Sequence, residues 1–464
     1  MLRVSPVAPA SGAPGPKWAL TSSGSATVTG GPVSLRTHAT IARQRPGQPI
    51  GAHTKVSKPT PSGDRRISVT LPDGKLAAVG DGNDPSGKKR GLFTVWNAAG
   101  ATEVNTLGSD VWVREIHGIA NTGDGGVVVA GLYESLSTGN DAFIARLKPS
   151  GGQEWLQTAP GNSHDYADEV APIVLDNKAV PQGYVIAGTY STTIANPEGW
   201  LVKYKTDSSK AGEYKWGGTG YDQFRSVATA AGGAIVAGGN TTSYGTGGGT
   251  NGAVVRFDHN LNLIWQTILD GAGEQFVADV QFAADGNILA LGTNSNPTVG
   301  ALGGQDLWLV KLDPYGNVLW QRSLGTSAED SAGALAILPD GMAIAASAAQ
   351  PGSTSPDGLL VRLDLAGNLL WSYPFGDGVI NGAQEALHDV VAWDAHTFGA
   401  VGRTTNGTPG NSNDAWVVRA GAWGHQTCGG AGDCFGKPIA ACLDDNPCHK
   451  PTCEPSTGKG PRND

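Results

Sequence analysis

The stretch Asp306-Leu-Trp-Leu-Val-Lys-Leu-Asp-Pro-Tyr-Gly-Asn-Val-Leu-Trp320 decides the fold. It holds two short apolar runs on either side of a Gly-Asn turn, and neither run is long enough for a helix of ordinary length. The phrase returns at 357–371 as DGLLVRLDLAGNLLW, at 251–265 as NGAVVRFDHNLNLIW and at 141–155 as DAFIARLKPSGGQEW. Shorter copies begin at Arg90 (RGLFTVWNAAG), Glu198 (EGWLVKYK) and Asp414 (DAWVVRAGAWG). The seven starts, at 90, 141, 198, 251, 306, 357 and 414, are spaced 51 to 57 residues apart. A period of that size marks a stack or ring of supersecondary units.

A second phrase precedes each copy. It reads Asp73-Gly-Lys-Leu-Ala-Ala-Val-Gly80 in the first unit and GDGGVVVAG, QGYVIAGT, AGGAIVAGG, ADGNILALGT, PDGMAIAAS and HTFGAVGRT in the rest. Each unit therefore reads as four strands. A first strand such as Phe224-Arg-Ser-Val-Ala-Thr meets a turn and a small apolar second strand. A Gly/Ser/Asn/Pro loop leads to the third strand, and a Gly-Asn turn leads to the fourth, which carries a Trp. Fifty-odd residues leave no room for a crossover helix. The expected fold is all-β: a seven-bladed β-propeller of four-stranded antiparallel blades over residues 67–424. The recurring Trp155, Trp216, Trp265, Trp320 and Trp371, with Trp96, Trp200, Trp308 and Trp416 on third strands, read as packing between blades. Each buries roughly 150–250 Å².

The seventh unit stops before a fourth strand. Pro16-Lys-Trp18-Ala-Leu-Thr-Ser-Ser-Gly24 keeps the Trp-to-Gly spacing of the fourth strands, so 16–24 is expected to close the last blade. Residues 1–15 are expected to be disordered, 25–66 to form a basic irregular connection, and 425–464 a Cys-rich tail.

Composition narrows the function. Gly is 69 of 464 residues and Pro 28, but 13 Trp and an apolar share of 39% exclude a disordered chain. Net charge is −9, which is wrong for a nucleic-acid partner. Residues 1–66 carry +8 and the remainder −17. The basic stretch is either a solvated segment or a membrane or polyanion contact. There is no transmembrane segment and no evident signal peptide. All five cysteines, Cys428, Cys434, Cys442, Cys448 and Cys453, lie in the tail and read as disulfide partners in an oxidising compartment. An extracellular, cell-surface or periplasmic monomer is expected.

The phrases DAFIARLKPSG and DLWLVKLDPYGNVLW resemble the bacterial β-propeller repeat of secreted and surface proteins. They are also similar to the tryptophan-docking repeat of quinoprotein dehydrogenases. The tail segment Cys442-Leu-Asp-Asp-Asn-Pro-Cys448-His-Lys-Pro-Thr-Cys453 resembles the slime-mould and myxobacterial cysteine-rich repeat. His449 and Pro451 replace that repeat's usual Thr and Asp. The first resemblance implies a secreted or surface propeller.

One chemical feature recurs. Asp110, Asp165, Asp222, Glu274, Asp330 and Glu385 fall 20 to 28 residues after the first six phrase starts, at the junction between blades. They form either a ring around the channel mouth that holds a ligand or a cation such as Ca²⁺, or separate caps for their own turns. No other cofactor is expected. His164-Asp165 and His388-Asp389 do not make a triad, and there is no nucleophile elbow. Gly82 to Lys89 departs from a phosphate loop at its last position and lacks a following helix. The expected function is therefore non-enzymatic binding or scaffolding of a protein, glycan or surface component, with the loops at 239–251 and 294–304 as contacts. The alternative is a metal-dependent or quinoprotein-like enzyme at the acidic channel mouth.

Overall fold

The computed structural model describes residues 3–7, 17–20, 26–29, 63–83, 89–96, 102–106, 113–135, 139–149, 151–159, 164–175, 178, 180–191, 196–246, 249–296, 301, 304–349, 355–375, 384–393, 397–404 and 414–421. Three short strands come first: β1 (Arg3–Val7), β2 (Lys17–Leu20) and β3 (Ala26–Thr29). Seven antiparallel blades follow. The first is β4 (Gly63–Thr70), β5 (Leu76–Asn83), β6 (Lys89–Trp96) and β7 (Thr102–Thr106). The second is β8 (Val113–Asn121), β9 (Val127–Ser135), β10 (Gly139–Leu147) and β11 (Gln153–Ala159). The third is β12 (Tyr166–Ile173), β13 (Gly183–Ser191), β14 (Pro197–Lys205) and β15 (Lys210–Trp216). The fourth is β16 (Asp222–Thr229), β17 (Ile235–Thr241), β18 (Asn251–Phe257) and β19 (Leu263–Leu269). The fifth is β20 (Gln275–Phe282), β21 (Ile288–Asn294), β22 (Asp306–Leu312) and β23 (Val318–Gly325). The sixth is β24 (Asp330–Leu338), β25 (Gly341–Ala349), β26 (Pro356–Leu363) and β27 (Leu369–Phe375). The seventh is β28 (Glu385–Ala392), β29 (Thr397–Thr404) and β30 (Asp414–Gly421). The described residues contain no helix, and so none long and apolar enough to cross a membrane.

The recurring phrase has a local cause. Asp313 Oδ1 accepts from the Tyr315 and Asn317 amides at 2.8 and 2.9 Å, and Asn317 Nδ2 donates to Oδ2 at 2.8 Å. Gly316 between them sits at φ 88°, the left-handed region that favours glycine. Asp364 and Asn368 repeat the lock in the sixth blade, and Asp258 and Asn262 in the fourth. This turn sets the register of third against fourth strand.

Burial is organised by interface. One apolar cluster lies between each pair of neighbouring blades. The tryptophans serve these interfaces. Trp216 stacks on Phe224 of the next blade at 5.1 Å between ring centroids, and its Nε1 donates to Gln266 there. Trp265 donates to the Pro314 carbonyl of the following blade at 3.0 Å. A Cβ on Gly367 would meet the Trp320 ring at 2.9 Å, so the glycine is the floor on which that ring lies.

The ends of the chain differ from expectation. The first blade begins at Gly63, four residues before the expected start. Arg3–Val7, expected to be disordered, is a strand that pairs antiparallel with β23 as a fifth strand of blade five. The segment expected to close the last blade pairs elsewhere: Lys17–Leu20 forms a hairpin with Ala26–Thr29. A hairpin loop of five residues costs far less closure entropy than one spanning the whole ring. Among the described residues blade seven therefore has three strands. The ring meets at the seam between β28 and β4, where Trp393 Nε1 donates to the Gly74 carbonyl at 2.9 Å and Thr70 Oγ1 to the Ala392 carbonyl at 2.6 Å. The cysteine tail lies outside the described residues.

Candidate functional site: the central channel

The first strand of every blade lines the channel, and every one of them carries a β-bulge at the same point. Its ladder to the second strand skips between Arg65 and Ile67, Ile116 and Gly118, Ala167 and Glu169, Phe224 and Ser226, Val277 and Asp279, Ala332 and Leu335, and Leu387 and Asp389. A bulge turns the extra residue out of the ladder and re-aims it. The extra residues are Arg66, His117, Asp168, Arg225, Ala278, Gly333 with Ala334, and His388. All but Arg66, whose side chain is outside the described set, line a channel cavity of about 630 Å³.

Directly after the bulge comes a second ring, and it holds the blades together. Glu169 Oε2 of blade three accepts from the Val227 amide of blade four at 2.9 Å. Ser226 Oγ of blade four accepts from the Val280 amide of blade five at 3.1 Å and donates to Asp279 Oδ1 at 2.9 Å. Asp279 Oδ2 of blade five accepts from the Leu335 amide of blade six at 2.7 Å. Asp389 Oδ2 of blade seven accepts from the Ser68 amide and hydroxyl of blade one at 2.6 and 2.7 Å. These amides belong to the unpaired inner edge of each blade, so a side chain of the preceding blade satisfies them. At blade two the position is Gly118, where a Cβ would stand 2.8 Å from the Glu169 Cα; there the backbones themselves touch. The price is paid in acidity. Burial pushes Asp279 up to about 7 and Asp389 up to about 6, and burial with Asp279 nearby raises Glu169 well above the usual carboxylate range.

The mouth above has a different chemistry. Glu115 takes Lys89 Nζ on one oxygen at 2.5 Å and His117 Nε2 on the other at 2.9 Å. The hydrogen bond from His117, and then Lys89, hold its carboxyl at about 2. His117 Nδ1 faces the Ala167 carbonyl at 3.0 Å, with Asp168 Oδ1 at 3.8 Å. Gln223 Nε2 donates to Asp168 Oδ2 at 3.2 Å and to the Tyr166 hydroxyl at 3.3 Å, and the Tyr221 hydroxyl donates to Gln223 Oε1 at 3.1 Å. One polar chain thus runs across blades one to four. Arg225, exposed in the cavity, makes no hydrogen bond or ion pair with any described residue.

The five junction acids that fall among the described residues lie at the starts of the inner strands, and none of the five lines this channel cavity. Asp165 accepts from the Ser191 amide, Glu274 from the Thr250 amide, and Glu385 from the Thr404 hydroxyl. Asp222 accepts from the Gly218 amide and from Ser243 and Thr241. Asp330 accepts from the Thr326 amide at 2.6 Å; burial and neighbouring Asp306 push it up to about 7. Each is engaged by its own junction. Asp110 lies outside the described residues. Among the described residues no group of three or more His, Cys, Asp or Glu is placed to hold a metal ion. Sequence reasoning passed over the two channel rings. The signal was present in Asp168-Glu169-Val170, Arg225-Ser226-Val227, Ala278-Asp279-Val280 and His388-Asp389-Val390, where a short acceptor precedes Val at the same point of the repeat.

Residues 122–151 match the family described as "domain of unknown function (DUF5122) beta-propeller". No curated protein matches the sequence. Similar solved structures include a protein of unknown function from Dyadobacter fermentans, at 9% identity and TM-score 0.45 over 77% of this chain and 94% of that one. The β-propeller domain of the Trilobed protease from Pyrococcus furiosus is similar at 10% identity and TM-score 0.42, over 74% of this chain and 89% of that one. Pyrococcus horikoshii acylaminoacyl peptidase is similar at 10% identity and TM-score 0.42, over 80% of this chain but 52% of that one. The family match spans one repeat, and the seven blades described above show the β-propeller fold.

Proposed function

We propose that this chain is a non-enzymatic, extracytoplasmic binding propeller that takes a glycan at the mouth of its central channel. The observation that carries the reading is the ring of bulges. Five inner strands each turn one residue, and the inner strand of blade six turns two, out of the ladder and onto the channel wall. A cavity of about 630 Å³ is in the range that accepts a small ligand. Its lining offers the amides of Asn121 and Gln281, the hydroxyls of Ser68 and Thr229, and the charged groups of Asp168 and Arg225, which suits a hydroxyl-rich partner. The clustering of all five cysteines within 428–453 supports an oxidising compartment.

The test is a glycan array probed with the full chain and with Ala334→Trp, which fills the channel from the side of blade six. We expect discrete glycan signals that the Trp variant loses while its melting temperature stays within a few degrees. If the full chain binds no glycan, or both proteins bind alike, the channel reading is wrong.

A further inference from the structure

The channel wall is chemically lopsided. Blades two, three and four present His117, Asp168 and Arg225, whereas blades five and six present Ala278, Gly333 and Ala334 at the same level. Small residues on one side leave room, and the polar side supplies contacts. The carboxylates of that wall are already engaged. Asp168 accepts from Gln223, Glu169 from Val227, Asp279 from Ser226 and Leu335, and Asp389 from Ser68. The guanidinium of Arg225 is the converse: it is exposed in the cavity and bonded to no described residue. Its planar fork matches a carboxylate with two parallel hydrogen bonds.

One further observation narrows the ligand. Tyr221, Gln223 and Arg225 follow one another at alternate positions from the rim into the channel. Tyr221 is 40% exposed, with its hydroxyl tied to Gln223, so its ring offers a fixed flat face at the rim. We propose, resting on the channel reading above, that the ligand is an acidic sugar. Its carboxylate pairs with Arg225, and its ring lies against Tyr221.

The experiment is calorimetric titration of the full chain with trigalacturonate and with its methyl ester, which keeps the shape and removes the charge. Wild-type protein, Arg225→Gln, Arg225→Lys and Ala334→Trp are compared. We expect the acid to bind at least ten-fold more tightly than the ester. Arg225→Gln should lose that preference with an unchanged melting temperature, Arg225→Lys should keep part of it, and Ala334→Trp should bind neither. Equal binding of acid and ester, or an undiminished preference in Arg225→Gln, overturns the assignment. In that outcome the loss of binding in Ala334→Trp still upholds the channel reading. Absence of binding by either trisaccharide also overturns the acidic-sugar assignment, and the glycan array then decides the channel reading by itself.

Discussion

Glu115 at the channel mouth and Asp279 at mid-depth are both carboxylates on inner strands, and their acidities move in opposite directions. Glu115 is held at about 2, whereas Asp279 is raised to about 7. The difference lies in the partners. Glu115 stands between His117 and Lys89, two groups that carry or can carry positive charge. Asp279 is buried and is met by a hydroxyl, a backbone amide and the Gln281 amide, none of them charged. Neutral donors stabilise an ionised carboxylate, but here not enough to offset its removal from water. The mouth therefore uses charge for charge, while the mid-channel ring uses carboxylates as acceptors that span blades. One lesson is that acidic residues around a channel need not mean a cation site.

The sharpest way to break this comparison is to remove the spanning acceptor. Asp279→Ala leaves the Leu335 amide and the Ser226 hydroxyl without their partner in a buried place. Unfilled buried donors of this kind cost about 3 kcal/mol in all. Denaturant titration should read that loss, and a value below about 1 kcal/mol would show that the side chain does not hold blades five and six together.

The pH dependence follows with a definite sign. Asp279, Asp389 and Asp330 have folded values raised above the ordinary one, so their contribution is fully present below about 4 and is lost as pH rises through about 6 to 7. Glu115 has a depressed folded value, so its contribution is present above its ordinary 4.5 and is lost as pH falls toward 2. Between pH 5 and 8 only the first set changes. The melting temperature is expected to be higher at pH 5 than at pH 8, and Asp279→Asn should narrow that gap. A melting temperature that rises from pH 5 to pH 8 would contradict the assignment.

The seam offers a smaller test. Blade seven meets blade one through the smallest of the interface clusters among the described residues and through Asp389 on Ser68. Ser68→Ala removes one of the two bonds to Asp389 and should cost about 1 kcal/mol. Amide exchange in β4 and β28 should quicken more than in β16. The mildest substitution is Glu115→Gln. Its pair with Lys89 is partly exposed and screened by water, so a loss of about 0.5 kcal/mol is expected. A much larger loss would mean that the mouth network is structural in the same way as the mid-channel ring.

Much of this architecture is legible in the chain. The phrase from Asp306 to Trp320 contains its own turn chemistry, because the Asp313 carboxylate accepts from both the backbone amide and the side-chain amide of Asn317. Tryptophan periodicity likewise points to the blade interfaces that Trp216, Trp265 and Trp320 fill. The channel rings are harder to read. A bulge shifts the facing of every later residue in its strand by one, and no local pattern announces which residue is the extra one. His388-Asp389 is an instance: the two are adjacent in sequence and both border the channel, His388 as the bulged residue and Asp389 as the acceptor that bonds across the seam to Ser68.

Blade number, strand order within a blade and the turn locks were determined by the sequence alone, since all depend on residues within about fifty positions of one another. The tertiary structure decided what long-range closure decides. It set which inner-strand amides faced a neighbouring blade and which carboxylates were consumed in satisfying them. It also left Arg225 in the channel without a bond to any described residue. Those outcomes depend on contacts such as Ser68 with Asp389, which are 321 residues apart and exist only once the ring has formed.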